Sequence, residues 1–235
     1  MFPLSDDNTG QKTTPFVTWA LIGINIAVFI YQYSLGAAMM PFVLTWGLQP
    51  YDLIHFRDVP ALFTSMFLHG GIIHLVGNMF YLHVFGDNLE DVMGHARFLI
   101  FYILCGLAAA AAQVMSDPMS QVPVIGASGA IAGVLGGYIL LFPGASIRVA
   151  MFGFLIRTLP AWIVLGFWFA LNALNAYATL GDSGGGIAFM AHVGGFIGGV
   201  VLVRLFVDRA SLDRQRRIRA EHRAMELSRR RQSPY

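Results

Sequence analysis

Three groups of polar residues interrupt apolar stretches of the chain, and together they could do nucleophilic chemistry. Ser128 stands between glycines in GASGA, and His192 opens the glycine-rich sequence HVGGFIGG. His74 and Asn78 are four residues apart in HLVGN. A serine hydroxyl becomes a nucleophile when a base takes its proton, and imidazole is a common base. Asn and His side chains are suitable donors for the oxyanion that forms when such a nucleophile attacks an amide.

The serine also has a purely structural interpretation. A GxSxG pattern is a weak signal in a chain with 26 glycines. In soluble hydrolases it follows a strand, whereas a proline and a few apolar residues precede Ser128 here. Gly129, Gly133 and Gly137 form a tandem GxxxG pattern, which is typical of closely packed membrane helices. Taken alone, the sequence around Ser128 favours helix packing over catalysis.

The histidines allow two interpretations as well. His74 and Asn78 share one face of a helix, where an interhelical hydrogen bond is as reasonable as a reactive site. His192 shares a face with Gly195 and Gly199. It could approach another helix closely, or it could be a buried histidine bonded to a backbone carbonyl. The choice depends on whether the helices bring these residues together.

The composition indicates a membrane protein. The chain is 56% hydrophobic and 12% charged, whereas soluble domains contain about 25% charged residues. Cys105 is the only cysteine, which excludes a disulfide or a cysteine-based metal cluster within this sequence. The sequence also lacks an HExxH motif, so we expect no metal site and no cofactor.

Six uncharged stretches can each hold one membrane span of about 20 residues. The predicted spans are residues 16–34, 72–85, 98–115, 125–142, 159–178 and 187–207. Each is predicted to be a helix, because every backbone polar group in lipid needs a partner within the protein. The predicted fold class is therefore all-α, a polytopic membrane protein with six transmembrane helices.

An even number of spans places both termini on the same side of the membrane. The Arg-rich tail, residues 209–231, predicts that this side is cytoplasmic, because Lys and Arg concentrate there. We expect a multi-pass membrane protein with both termini in the cytoplasm. The tail is expected to contact anionic lipid, which we favour over nucleic-acid binding, so no nucleic acid is expected as a partner.

This topology places the polar groups at a common depth. The second, fourth and sixth helices run inward, and His74, Ser128 and His192 each lie a few residues into one of them. Independent packing features would not need matching depths, so we predict one site in the outer part of the membrane. With no carboxylate on the helix of His192, the prediction is a dyad, with Ser128 as nucleophile and His192 as base. His74, Asn78 and the Ser128 backbone N–H are candidate oxyanion donors.

The motifs, in this order, resemble those of the rhomboid family of intramembrane serine proteases, especially compact bacterial members with six helices. The similarity covers residues 14–207 and is carried by HGGIIHLVGN, GDNLEDVMG, GASGA and AHVGGFIGG. It implies a six-helix protease domain over 14–207, a short cytoplasmic N-terminus over 1–13 and a basic cytoplasmic tail over 208–235. It also implies that Ser128 and His192 cleave transmembrane segments of substrate proteins near their outer ends, with oxyanion-hole roles for His74 and Asn78.

The resemblance further implies a set of structural residues. Glu90 and Gly94 lie in a GxxxExxxG pattern like the one that family members carry at the inner end of the second helix. The glycines near the dyad are expected to let helices and substrate approach closely: Gly126, Gly129, Gly195 and Gly199.

Two departures from the family pattern bear on the site. Many members carry Trp-Arg in the first outer loop, where this chain has Pro60-Ala61. Some members place an aromatic ring against the histidine, four residues after the serine, where this chain has Ala132. The sequence therefore leaves open what orients the His192 ring. The alternative function is a catalytically silent rhomboid-like protein that binds membrane segments, although such relatives are expected to lack the serine or the histidine.

Overall fold

The long helices follow the uncharged stretches of the sequence. The structure is a computed structural model that describes residues 2–151, 155–179 and 188–232. In chain order its elements are β1 (Phe2–Ser5), α1 (Phe16–Ser34), α2 (Met39–Trp46), α3 (Pro50–Ile54), α4 (Ala61–Thr64), α5 (Ile72–Met93), α6 (His95–Ser116), α7 (Ser128–Leu141), β2 (Ser146–Met151), β3 (Leu155–Pro160), α8 (Ala161–Ala178), α9 (Phe189–Phe206) and α10 (Arg209–Gln232).

Helices α1 and α5 to α9 overlap the six predicted spans. The bounds differ in places: α5 runs past residue 85, α7 begins three residues later than predicted, and residues 159–160 belong to β3 instead of α8. Position 187 lies outside the described residues. Within the described chain, α1, α6, α8 and α9 have the length and apolar composition of membrane-spanning helices, and α7 is apolar but only 14 residues long. The predicted class, a helical polytopic membrane protein, is confirmed. We call the end of the bundle where α7 begins the serine end, and the end where α9 leads into α10 the tail end.

Helix α5 extends further than the sequence analysis predicted. The predicted span ended at residue 85, but the helix continues to Met93 through a buried acidic segment. Glu90, in this segment, accepts hydrogen bonds from the backbone N–H groups of Val17 and Thr18, at 2.9 and 2.8 Å. These groups belong to the first turn of α1, where a helix offers no partner of its own. The acidic residues extend α5 because their charges meet donors from another element.

A small antiparallel sheet, in the order β1-β2-β3, is an addition that the all-helical prediction did not contain. Strands β2 and β3 pair antiparallel with each other, between α7 and α8 in the chain, and β1 pairs with β2 from the start of the chain. Ile147 and Val149 of β2 are fully buried, and the Phe2 ring lies 4.8 Å from that of Phe80 on α5. Because β3 leads directly into α8, the sheet connects α5 with α8.

Helices α7 and α9 meet backbone to backbone. A Cβ atom added at Gly195 would lie 2.9 Å from the carbonyl carbon of Gly129, and one added at Gly199 would lie 2.6 Å from that of Gly133. Carbon atoms make their best contacts at about 3.5–4.0 Å, so neither glycine position tolerates a side chain without movement of a helix. The glycine pattern therefore determines how closely the helices that carry Ser128 and His192 approach each other.

The segments on either side of the bundle both pack against its tail end. Asp91 of α5 accepts a hydrogen bond from the Thr13 backbone N–H at 2.8 Å and one from the Gln215 side chain of α10 at 2.5 Å. Arg216 of α10 donates to the carbonyl oxygen of Leu141 at 2.8 Å. The division into a terminus, a six-helix domain and a tail stays a prediction, and the two outer segments are in contact with the bundle between them.

The loop between α1 and α5 covers the serine end. Its α4 helix begins at Ala61, which is buried. The Thr64 hydroxyl donates to the carbonyl oxygen of Trp46 at 2.7 Å, and Leu48 and Val124 exchange backbone hydrogen bonds at 3.0 and 2.8 Å. This loop, which carries Pro60-Ala61, is thus held by a buried alanine and by backbone pairing to the segment before α7.

Candidate active site

The serine and the histidine predicted as a dyad lie within hydrogen-bond distance. Ser128 is the first residue of α7, and its Oγ is 2.8 Å from Nε2 of His192 on α9. The close approach of α7 and α9 through their glycines makes this distance possible. Because Ser128 occupies the first turn of its helix, its backbone N–H has no acceptor one turn earlier in that helix and lies at the positive end of the helix dipole.

The other ring nitrogen of His192 contacts a residue that the sequence analysis did not identify. Asn172 of α8 is buried, and its Oδ1 lies 2.7 Å from Nδ1 of His192. The ring of Trp168, one turn earlier on α8, is centred 5.7 Å from the imidazole at an interplanar angle of 37°. Asn172 and Trp168 therefore contact the His192 ring in a chain where position 132, which some family members fill with an aromatic residue, is alanine.

Gly126, two residues before the serine, allows α5 to approach the segment that leads into α7. Gly126 has φ +123°, a conformation that favours glycine. A Cβ atom at this position would lie 2.8 Å from Cε1 of His74 and 3.6 Å from Nδ2 of Asn78. The backbone N–H of Gly126 donates to the carbonyl oxygen of Ser65 at 2.9 Å. A side chain at position 126 would therefore strain the backbone and displace the predicted oxyanion donors.

Asn78 has a hydrogen-bond partner that the sequence analysis missed. Its Nδ2 lies 2.9 Å from Nε2 of His69, which is fully buried. The backbone at His69 is held in turn by Gln32 of α1, which donates to the His69 carbonyl oxygen at 2.6 Å and accepts from its N–H at 3.1 Å. The available signal was the histidine at the start of HGGIIHLVGN, which stands five residues before His74.

One cavity of about 990 Å³ contains all four predicted site residues. Ser128, His192, His74 and Asn78 line it, together with the Ser65 segment, the α7 entry loop and apolar residues of α6. The rings of Tyr81 on α5 and Trp168 on α8 are 6.5 Å apart and border the same space. The arrangement allows proton transfer between Ser128 and His192 and donation of hydrogen bonds to a group bound between α5 and α7.

Glu90 and Gly94 lie far from this cavity, at the tail end of α5. Besides its bonds to α1, the Glu90 carboxylate is 2.5 Å from Nδ1 of His95. Gly94 separates α5 from α6 and has φ +79°, which a glycine adopts without the usual steric cost. Both residues therefore have structural contacts, and neither can reach a substrate in the cavity.

Across residues 2–151, 155–179 and 188–232, no group of three or more His, Cys, Asp or Glu side chains is arranged to hold a metal ion.

Comparisons with known proteins agree on one family. A family model described as the rhomboid domain matches residues 57–209. The chain is 31% identical over 220 residues to rhomboid protein 1, mitochondrial, of Saccharomyces cerevisiae, which covers 89% of this chain and 59% of the yeast protein. It is 32% identical over 196 residues to the rhomboid protease GluP of Bacillus subtilis, covering 80% of this chain and 34% of that protein.

A shorter relative matches over most of its own length. The chain is 32% identical over 152 residues to the putative rhomboid protease YdcA of Bacillus subtilis, which covers 63% of this chain and 67% of YdcA. The matched segment spans 59% of the yeast protein and 34% of GluP, so both relatives are considerably longer than the part they share with this chain.

Proposed function

Because the chain belongs to the rhomboid family, we propose that it is an intramembrane serine endopeptidase that cleaves transmembrane segments of other proteins. The observation that carries the proposal is the 2.8 Å contact between Ser128 Oγ and His192 Nε2, inside a cavity that also contains Asn78 and His74. The alternative, a silent binder of membrane segments, gives no reason for a serine and a histidine to be held in this geometry.

The proposed reaction begins with proton transfer from Ser128 Oγ to His192 Nε2. The oxygen then attacks the carbonyl carbon of a peptide bond, and the carbonyl oxygen becomes an oxyanion. Asn78, His74 and the Ser128 N–H donate hydrogen bonds to that oxyanion. His192 gives its proton to the leaving amine, which departs and leaves an acyl-enzyme. Water, deprotonated by His192, hydrolyses the ester and restores the serine.

The depth of the dyad supports cleavage near one end of a substrate helix. Ser128 lies at the start of α7 and His192 lies three residues after the start of α9, so the reacting atoms are close to the serine end. A peptide bond within a helix has its carbonyl hydrogen-bonded to the next turn. The substrate segment must therefore unwind locally before the serine can attack.

We also propose the orientation and the location of the chain. The serine end faces outward, both termini are cytoplasmic, the membrane is the bacterial inner membrane, and the arginine-rich α10 contacts anionic lipid. Support comes from the concentration of arginine in α10 at the tail end.

The orientation can be tested by labelling single cysteines. Cys105 is buried, so exposed single cysteines can report the topology. An impermeant maleimide should label Arg57→Cys but not Glu221→Cys in intact cells, and the reverse pattern would reject this orientation.

The test of the function is cleavage of a fluorescent transmembrane substrate by the purified protein. Ser128→Ala and His192→Ala should each abolish cleavage while leaving the thermal unfolding midpoint close to that of the wild type. Asn78→Ala should retain weak activity, because losing one oxyanion donor costs about 3 kcal/mol, on the order of a hundredfold in rate. Cleavage at the wild-type rate by either dyad variant would reject the mechanism.

A further inference from the structure

The position of Asn172 bears on a question that the Ser128–His192 contact leaves unanswered. A neutral imidazole carries its proton on one ring nitrogen, and only the other nitrogen can accept a proton from serine. Nε2 faces Ser128 at 2.8 Å, and Nδ1 faces Asn172 Oδ1 at 2.7 Å. The atom of Asn172 that faces the ring therefore decides which tautomer is favoured.

The orientation of the Asn172 amide follows from its second hydrogen bond. Nδ2 of Asn172 donates to the backbone carbonyl oxygen of Trp168 at 2.8 Å. A carbonyl oxygen can only accept, so the amide NH₂ group must face Trp168 and the amide oxygen must face His192. An oxygen at 2.7 Å from Nδ1 requires the proton to be on Nδ1. Nε2 then has its lone pair directed at the Ser128 hydroxyl, which is the tautomer that a general base needs.

The packing around Asn172 keeps this geometry in place. Asn172 is buried, and the Phe169 ring beside it on α8 stacks on Phe196 of α9 with centroids 4.4 Å apart. A neutral amide also suits a membrane-embedded position, because an unpaired carboxylate there would carry a large desolvation cost. The ring nitrogens of His192 contact two uncharged side chains, Ser128 and Asn172, so the orienting group is a neutral amide.

We propose that Asn172 is the positioning residue of His192, holding the Nδ1–H tautomer so that Nε2 can accept the Ser128 proton. The proposal rests on the proposed protease function for its kinetic consequence, but not for its tautomer. It gives α8 a direct part in the site, since the nucleophile, the base and the orienting group then come from three different helices, α7, α9 and α8. It also answers what orients the imidazole when residue 132 is alanine.

The test combines kinetics with ¹⁵N spectroscopy of the histidines. In Asn172→Leu, which removes the acceptor, kcat should fall about tenfold, the net worth of one hydrogen bond, while KM changes by less than twofold. Asn172→Asp has nearly the same shape, and a protonated carboxyl can donate to the Trp168 carbonyl oxygen while presenting an acceptor oxygen to Nδ1, so it should recover activity relative to Asn172→Leu. Asn175→Leu is the matched control, because Asn175 is exposed on the same helix and its substitution should leave kcat unchanged.

The spectroscopic measurement separates this proposal from the proposed function. In ¹⁵N-histidine-labelled protein, with the signal of His192 assigned by its loss in His192→Ala, Nδ1 should carry the proton in the wild type. The proton should be shared with or moved to Nε2 in Asn172→Leu. An unchanged tautomer in a folded Asn172→Leu protein would overturn the proposal. So would a kcat of Asn172→Leu that is no lower than the kcat of the control, Asn175→Leu. A wild-type protein that shows the Nδ1–H tautomer but no cleavage would count against the protease function alone.

If Asn172→Leu does not fold, the tautomer of His192 in the wild type still tests the proposal. A wild-type His192 protonated on Nε2 would overturn the proposal without any variant.

Discussion

A single buried carboxylate joins α5 to the start of α1 at the tail end. Glu90 accepts the N–H groups of Val17 and Thr18 and also the Thr18 hydroxyl, at 2.9, 2.8 and 2.7 Å. It carries its charge at the N-terminus of α1, where the helix dipole favours a negative group. A fully buried acid with this many donors is stabilising only while all of them remain engaged.

Replacement of that acid by its amide should therefore be costly. In Glu90→Gln the amide nitrogen cannot accept either backbone N–H, so at least one donor at the start of α1 loses its partner. We expect a loss of about 2 kcal/mol in stability and a thermal unfolding midpoint lower by roughly 4–8 °C in detergent. The control is Glu221→Gln, because Glu221 is exposed and lies 4.0 Å from Arg217, and such pairs contribute little. Equal midpoints for both variants would contradict this account of Glu90.

The site residues differ in how far sequence could identify them. Ser128, His192, His74 and Asn78 stand out because they are polar in stretches that are otherwise apolar and uncharged. Asn172 did not stand out in this way, because the sequence LNALN also contains Asn175 and does not say which of the two asparagines faces α9. His69 lies before the start of α5, so the helix periodicity that linked His74 to Asn78 could not place it.

At the scale of elements, the pair α7 and α9 acts as one block. The two helices touch through the backbones of Gly129 and Gly195 and of Gly133 and Gly199. By contrast, α8 packs on α9 through large rings, including Trp168 and Phe169. Side chains can adjust by changing rotamer, whereas a backbone contact offers no such freedom. The distance between the two dyad residues is therefore determined more firmly than the position of α8.

Adding one methyl group to this contact should disturb the dyad from a distance. In Gly199→Ala the new methyl would lie 2.6 Å from the Gly133 carbonyl carbon, so α7 and α9 must separate by about 1 Å. Displacements of this size can cost about a hundredfold in rate, and we expect that loss in kcat for the transmembrane substrate. Gly166→Ala is the control, because nothing lies within 4 Å of a Cβ atom at that position of α8. Wild-type kcat in folded Gly199→Ala would show that the spacing of these helices is not critical.

The elements were predictable to different degrees for a physical reason. Helix positions followed from charge, since lipid requires uncharged stretches and helices satisfy their own backbone groups. The sheet could not be predicted in the same way, because Phe2 pairs with Ala150, a partner 148 residues away. The extension of α5 to Met93 likewise depends on donors from α1, which are 72 or more residues distant in sequence.

Across the whole molecule, the segment before α1 and the tail helix close the tail end over buried polar groups. The Asp6 carboxyl receives hydrogen bonds from Asn88 of α5 at 2.6 Å and from the Tyr138 hydroxyl of α7 at 2.7 Å. Burial, and secondarily the charge of Asp87, raises the pKa of Asp6 from 3.8 to about 8. The folded protein therefore retains a proton on Asp6 at pH values where the unfolded chain has lost it.

This shift predicts how stability depends on pH. The contribution of Asp6 is fully present below pH 3.8, its unfolded pKa, and is lost as the pH rises toward about 8, because the folded state binds the additional proton over that window. The thermal unfolding midpoint of the wild type should therefore fall between pH 5 and pH 9. Asp6→Asn should reduce this fall, since an amide does not ionise. An identical pH dependence in Asp6→Asn and the wild type would show that Asp6 is already ionised in the folded protein.

The backbone contact between Gly133 and Gly199 also determines how the molecule responds to bilayers of different thickness. Helices adapt to a mismatched bilayer chiefly by tilting. Because α7 and α9 touch through main-chain atoms, they must tilt together, and lipid chain length leaves the spacing of Ser128 and His192 unchanged. The pairing of nucleophile and base should thus stay constant from one membrane thickness to another.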